Sequence, residues 1–430
     1  MRLKSILLVA CILLAGSFSV QAEELIAQNS TLTLEQCIRV GLQNNPDIAA
    51  YTGNIKIYQS RVGQARSAYY PTLNLALRYS HDKMTPPPSM PEMLSYSAGL
   101  HLNQNIYDFG QTSSRLRIQN LNLGAVISDL DAVSNQVVLN IKQAYYAVLK
   151  AERNKTVAQE SVRMFEEHLD RAKAFFAVGT KPRFDVTRAE VDLSSAKLEL
   201  IKAENALKVA RVMLNNSMGV PSAPDYLIAD NLSFRKYQVT PEEALVRAYA
   251  NRPDLKGIIV RKEAALESVR LARKQYLPVI FGTASYSQGN DEFPLKEGWG
   301  VSVTFGVPIF NGFETKYRVA EARAAQAVLQ ANEESLRQSI ILEVQQACLS
   351  LKEVEESVSM SELLVKQAQE SSEIAQGRYD AGVGSPIEVT DAQVTYVNAR
   401  KNYIETLYRY QIARESLQKA MGLRSENAYQ

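Results

Sequence analysis

Residues Gly179–Val191 read GTKPRFDVTRAEV, and nearly the same phrase returns at Gly382–Val394 as GVGSPIEVTDAQV. Each opens on a glycine turn, passes an acid (Asp185 or Glu388) and runs through Val-Thr into a long apolar repeat. After the first phrase, Val186, Ala189, Leu193, Ala196, Leu200, Ala203, Leu207, Ala210 and Leu214 step alternately by three and four residues. After the second, Val389, Ala392, Tyr396, Ala399, Tyr403, Thr406, Tyr410, Ala413 and Leu417 do the same. A seven-residue repeat is the mark of helices in coiled-coil register, and the alanine layer lets a neighbouring helix come close. Before each phrase lies a proline-free stretch, Gln111 to Val178 and Glu314 to Ala381. At about 68 residues each, these are on the order of 100 Å long as helices. Each phrase is thus expected to be the reversal of a long helical hairpin.

The repetition extends through the chain. Asn44-Asn45-Pro46-Asp47 matches Asn251-Arg252-Pro253-Asp254, Tyr70-Pro71 matches Leu277-Pro278, Gly110 matches Gly312, and Met218-Gly219 matches Met421-Gly422. A period this long describes a duplicated domain rather than a solenoid. The expected boundaries are a signal peptide at 1–22, a first repeat at 23–220, a linker at 221–240, a second repeat at 241–422 and a tail at 423–430. In each repeat a helix, Asn44 to Tyr70 or Asn251 to Tyr276, is expected to stop before proline, which disfavours helical geometry in the preceding residue.

Beyond those prolines the period falls to two. Leu73, Leu75, Leu77 and Tyr79 alternate with Asn74, Ala76, Arg78 and Ser80, and Tyr96, Ala98, Leu100 and Leu102 alternate with Ser97, Gly99, His101 and Asn103. In the second repeat, Ile280, Gly282, Ala284 and Tyr286, then Trp299, Val301, Val303 and Phe305, form the same pattern. These are two expected hairpins, 73–105 and 279–307, followed by the helical hairpins 111–217 and 314–421. Strands of roughly 9–11 residues with aromatic ends fit a membrane β-barrel. Four strands cannot close one, because lipid tolerates no open sheet edge and the smallest bacterial barrels need about eight. Two chains would pool eight strands and three would pool twelve.

The chain has 430 residues, 46% of them hydrophobic, and a formal net charge of +2, which gives no signal for nucleic acid. MRLKSILLVACILLAGSFSVQAEE has the positive start, apolar core and small-residue cleavage site of a secretory signal. Leu8-Val9-Ala10-Cys11 also fits a lipoprotein signal with Cys11 lipidated, although it leaves an apolar core of only about six residues. Cys37 and Cys348 lie in expected helices and read as buried free thiols, not as a disulfide framework. His81, His101 and His168 are far apart and share no metal-ligand spacing, and no nucleophile elbow or phosphate-binding loop appears. No enzyme, cofactor or metal is expected.

These residues together resemble the TolC-type outer-membrane efflux protein family, the outer membrane factors of tripartite export systems. The resemblance rests on the duplication, on Tyr70-Pro71 and Leu277-Pro278, on the strand exits Asn105–Gly110 and Val307–Gly312, and on the two glycine-turn phrases. It covers about Leu34 to Gly422. It implies an α+β membrane protein: a homotrimer with a twelve-stranded outer-membrane barrel, four strands per chain, continued by a periplasmic α-helical barrel. It also implies a periplasmic adaptor and an inner-membrane pump as partners, with outer-membrane lipid around the strands. Glu388 and Asp391, three apart and so on one helix face, match the family's aperture acids, and three copies would make stacked acidic rings that attract cations. Asp185 matches a latch contact and Tyr379 a tyrosine that holds the closed mouth. The arginine usual in the second turn is Gly384 here, so Lys181 or Arg183 would have to replace it. The turns Val178-Gly179-Thr180 and Ala381-Gly382-Val383 are the expected adaptor-docking tips. The exit duct of a type I protein secretion system and a periplasmic adaptor are the alternative readings; cargo is not legible.

Overall fold

A computed structural model describes residues 30–82 and 93–423. The expected signal peptide, Cys11, residues 83–92 within the first expected β-hairpin and residues 424–430 lie outside the described residues. In chain order the elements are β1 (Thr31–Leu32), α1 (Leu34–Asn44), α2 (Pro46–Ser67), β2 (Thr72–Asp82), β3 (Met93–Tyr107), α3 (Gln111–Ala177) and α4 (Arg183–Ser217). They continue as β4 (Leu227–Ile228), α5 (Pro241–Asn251), α6 (Pro253–Lys274), β5 (Val279–Asn290), β6 (Lys296–Gly306), α7 (Glu314–Asp380) and α8 (Pro386–Ala420). The two series match length for length: α1 and α5 have 11 residues, α2 and α6 22, α3 and α7 67, α4 and α8 35.

Local chemistry sets these boundaries. Thr33 and Thr240 open α1 and α5 with capping boxes, paired with Gln36 and Glu243. Both short helices stop before a proline, Pro46 or Pro253, which then begins the next helix, where its missing N–H costs nothing. α2 and α6 end at Ser67 and Lys274, short of Tyr70 and Tyr276 where the sequence placed them, and turns such as Tyr70 N–H to Ser67 O (2.9 Å) complete the approach to proline.

The described residues pack as two compact units. One comprises the described parts of 1–49, 132–252 and 339–430. Its core holds Leu34, Cys37, Ile141, Tyr145, Leu149, Leu214, Met218, Tyr410, Leu417 and Met421, all fully buried or nearly so. Here the repeated phrases fit together. Asn45 donates to Ser217 O at 3.2 Å and Arg252 to Ala420 O at 3.3 Å. A Cβ on Gly219 would lie 2.5 Å from Asn44 O, and one on Gly422 2.6 Å from Arg252 N, so the Met-Gly pairs are close-approach points. β1 and β4 form a two-residue parallel pair, which places a strand inside the stretch read as linker. That stretch is further tied down by Tyr145 Oη to Ala229 O (2.6 Å) and Gln411 to Ser233 O (2.6 Å). Both described cysteines are free; Cys37 is buried and its thiol pushed up to about 12 by desolvation, whereas Cys348 is only half-buried, because the face of α7 that carries it is partly open.

The other unit, 50–131 and 253–338, carries one antiparallel sheet in the order β2-β3-β5-β6. Its register places the apolar residues of all four strands on one face: Leu75 opposes Leu100, Leu100 opposes Tyr286, and Tyr286 opposes Trp299. Leu73, Leu75, Leu77 and Tyr79 on edge strand β2 and Trp299, Val301, Val303 and Phe305 on edge strand β6 are exposed, Trp299 to 81%. Among the described residues no helix is long and apolar enough to cross a membrane.

Candidate functional site at the helical-hairpin tips

Both reversals are built alike. Gly179 (φ 75°) and Gly382 (φ 79°) occupy the left-handed region. At the first, Thr180 N–H donates to Phe175 O and Gly179 N–H to Phe176 O, each at 3.0 Å; at the second, Val383 donates to Arg378 O and Gly382 to Tyr379 O, each at 3.0 Å. These paired bonds are Schellman caps, which need a residue without a Cβ at the left-handed position. Pro182 leads into α4 without a side-chain cap, whereas Ser385 caps α8 by accepting from Glu388 N–H at 3.3 Å, with Pro386 in the first turn. Val178, Gly179, Thr180, Ala381, Gly382 and Val383 are all exposed. Beside them Phe176 and Phe184 on the first tip and Ile387 on the second are exposed as well.

The expected gate residues divide into two settings. Asp185, 4% exposed, sits in the first turn of α4, and Tyr379, 0% exposed, in the last turn of α7. Burial pushes the Tyr379 hydroxyl above its ordinary value, and the charges of Asp185 and then Asp380 push it further. Glu388 and Asp391 lie outside this cluster, exposed on α8. Arg378 reaches Glu388 at 3.3 Å, while Asp391 forms no ion pair among the described residues.

Gly384 has a steric reason. A Cβ there would lie 2.9 Å from Tyr379 N and 3.0 Å from Arg378 C, so a side chain forces backbone to move. In its place Lys181 from the first tip donates to Gly384 O at 3.4 Å and lies 5.0 Å from the Tyr379 ring centroid. Of the two candidates for replacing the arginine, Lys181 makes the cross-tip contact; Arg183 is exposed.

Three features, two near the tips and one farther along the helices, carried no sequence signal. His168 on α3 packs against Tyr379 with ring centroids 5.3 Å apart and planes tilted by 53°, and Phe175 meets the same ring edge-on at 5.6 Å. Thr390 on α8 donates to Asp192 on α4 at 2.9 Å, joining the two hairpins. Deeper in the same unit Lys142 on α3 and Glu415 on α8 form a buried ion pair at 2.5 Å. Among the described residues no group of His, Cys, Asp or Glu is placed to hold a metal ion.

The chain thus carries a sheet with one continuous apolar face and, as separate features, two helical hairpins of matched length. The chain belongs to the outer membrane efflux protein family, whose sequence profile matches residues 38–220 and 244–423. It is 23% identical over 396 residues to the outer membrane protein TolC of Vibrio cholerae, covering 89% of each chain. It is 24% identical over 408 residues to the probable efflux pump outer membrane protein TtgC of Pseudomonas putida, covering 90% of this chain and 82% of the relative. Its fold superposes on the crystal structure of CusC with a TM-score of 0.81 at 20% identity, covering 96% of this chain and 100% of that one. The protein is an outer-membrane efflux component.

Proposed function

We propose that three copies of this chain form the passive exit duct of a tripartite efflux system. The observation that carries the reading is the four-stranded sheet: its apolar face is open, and its edge strands β2 and β6 have no further strand beside them among the described residues. In lipid such edges must be paired, and three copies give a closed twelve-stranded barrel. The helices support the same assembly. On α7, Val328, Leu342, Leu349 and Leu363 recur at multiples of seven, and on α4 Val191, Leu198 and Val212 do likewise, all exposed in the single chain. An unpartnered heptad seam calls for another helix, and the neighbouring copy supplies it.

The sequence halves then act as a duplicated unit, each giving one hairpin to the barrel and one to the periplasmic tunnel. Glu388 and Asp391 line the mouth, Asp185 and Tyr379 hold it closed with Lys181 in the place of the missing arginine, and the exposed glycine turns receive a periplasmic adaptor. An inner-membrane pump supplies the energy. Chemical cross-linking of the detergent-extracted protein should stop at the mass of a trimer, and the trimer should conduct ions in a planar bilayer. A non-conducting monomer recovered from the soluble periplasmic fraction would overturn the reading.

A further inference from the structure

His168 is a buried, titratable side chain near the tips that the gate read from the sequence does not use. It is 1% exposed, its Nδ1 has no hydrogen-bond partner among the described residues, and neither has the hydroxyl of Tyr379 against which it packs. A neutral imidazole tolerates this setting. An imidazolium does not: it carries two N–H donors, one of them aimed where no acceptor waits, and a charge taken out of water.

The charged groups that act on it come from three elements. Asp185 and Asp192 lie on α4, Asp380 on α7 and Arg171 on α3 itself. Lys181 covers the Tyr379 ring, and on α8 the neutral Thr390 donates its hydroxyl to Asp192. Asp192 is already engaged twice, by Thr390 at 2.9 Å and by Arg188 at 3.5 Å. Burial is the largest influence and holds the imidazole below its ordinary value; Asp192 opposes it, Arg171 adds to it, and Asp380 and Asp185 oppose it.

We propose that His168 is a proton-sensing switch of the hairpin tips: uncharged, it packs against Tyr379 and ties α3 to α7; protonated, it leaves that contact for water and loosens the two tips. The direction follows from linkage. A histidine held below its free value of 6.5 stabilises the packed arrangement least in acid. The contribution is whole above about pH 6.5 and falls as pH drops through that value toward the depressed one. Mild acidification is therefore the opening signal. Its meaning for transport rests on the tips being the tunnel mouth, as proposed above; the proton response itself does not.

Two measurements on the intact protein separate these. Hydrogen exchange, corrected for intrinsic rates, is compared at about pH 7.5 and about pH 5.5 on peptides containing His168 and Tyr379. Wild type should lose protection in acid by up to about tenfold, the ceiling set by the one pH unit between the free value of 6.5 and the lower test pH. His168→Gln and His168→Phe should lose that response, the phenylalanine keeping a packed ring that cannot titrate. An equal acid response in both variants, or none in wild type, would overturn the proposal. Conductance in a planar bilayer, recorded at the same two pH values, should rise in acid for wild type only. Exchange that responds while conductance stays flat would keep the switch and remove its place at a channel mouth.

Discussion

Glu388 and Asp391 look interchangeable as a pair of acids one helical turn apart, yet their surroundings differ. Arg378 stands 3.3 Å from Glu388 and offsets its charge, and nothing described offsets Asp391. Both groups are exposed, so the pair with Arg378 adds only about 0–1 kcal/mol to stability, but if these acids line the mouth as proposed, it changes the field a passing ion meets. Asp391→Asn should therefore lower the cation-to-anion permeability ratio more than Glu388→Asn, by a factor on the order of two to ten at low salt. The difference should shrink as the Debye length falls below about 10 Å above 0.1 M salt. Reversal potentials across a salt gradient measure it; equal effects of the two variants would show that Arg378 is drawn elsewhere in the assembly. The acids themselves were legible from the repeated phrase. Their inequality was not, because Arg378 belongs to the preceding helix and only the Schellman reversal brings it back.

At the scale of elements, the long helices were legible because nothing interrupts them: no proline occurs between Gln111 and Ala177 or between Glu314 and Asp380, and glycine turns end both. The strands were legible because one face is apolar and the period is two. What escaped was set by partners remote in sequence. The β1–β4 pair is two residues long and has no room for alternation. His168 reads as an ordinary polar residue in a helix. Lys142 and Glu415, 273 residues apart, each fall in a helical pattern that gives no hint of burial. That pair also predicts. Glu415 accepts from Lys142 at 2.5 Å and from Arg414 at 2.7 Å with almost no exposure. Removing the lysine alone strands most of a buried charge, and a broken buried pair costs about 3–5 kcal/mol. Lys142→Met should thus lower the unfolding midpoint sharply, whereas Lys142→Met with Glu415→Leu should recover most of the loss, since apolar replacement of a buried pair is often neutral. Denaturant titration of the detergent-solubilised protein distinguishes them. A double variant no better than the single would mean that the pair fixes the α3–α8 register.

For the whole molecule, the decisive question is what covers the apolar face of the sheet. Val303 and Thr304 are neighbours in the C-terminal half of β6, and strand geometry sends their side chains to opposite faces. Val303 shares its face with Trp299, Val301 and Phe305, and its cross-strand partner is Gly282; Thr304 opposes Phe281 on the other. If three sheets close into a barrel, the first face meets lipid and the second the lumen. Arginine then has unlike costs at adjacent positions: about 2–4 kcal/mol on the lipid face near the midplane, but little in a watery lumen. Val303→Arg should abolish or strongly reduce trimer in the outer membrane, measured by semi-native electrophoresis of membrane fractions. Thr304→Arg should leave trimer at wild-type level and instead reduce conductance or shift its selectivity toward anions. If both variants assembled equally well, the apolar face would have some cover other than lipid, and the barrel would have to be abandoned. If Thr304→Arg alone failed, the sheet would be facing the opposite way. Each outcome is fixed by a one-residue step along a single strand, which leaves β-propensity, expression and charge change nearly constant between the two variants.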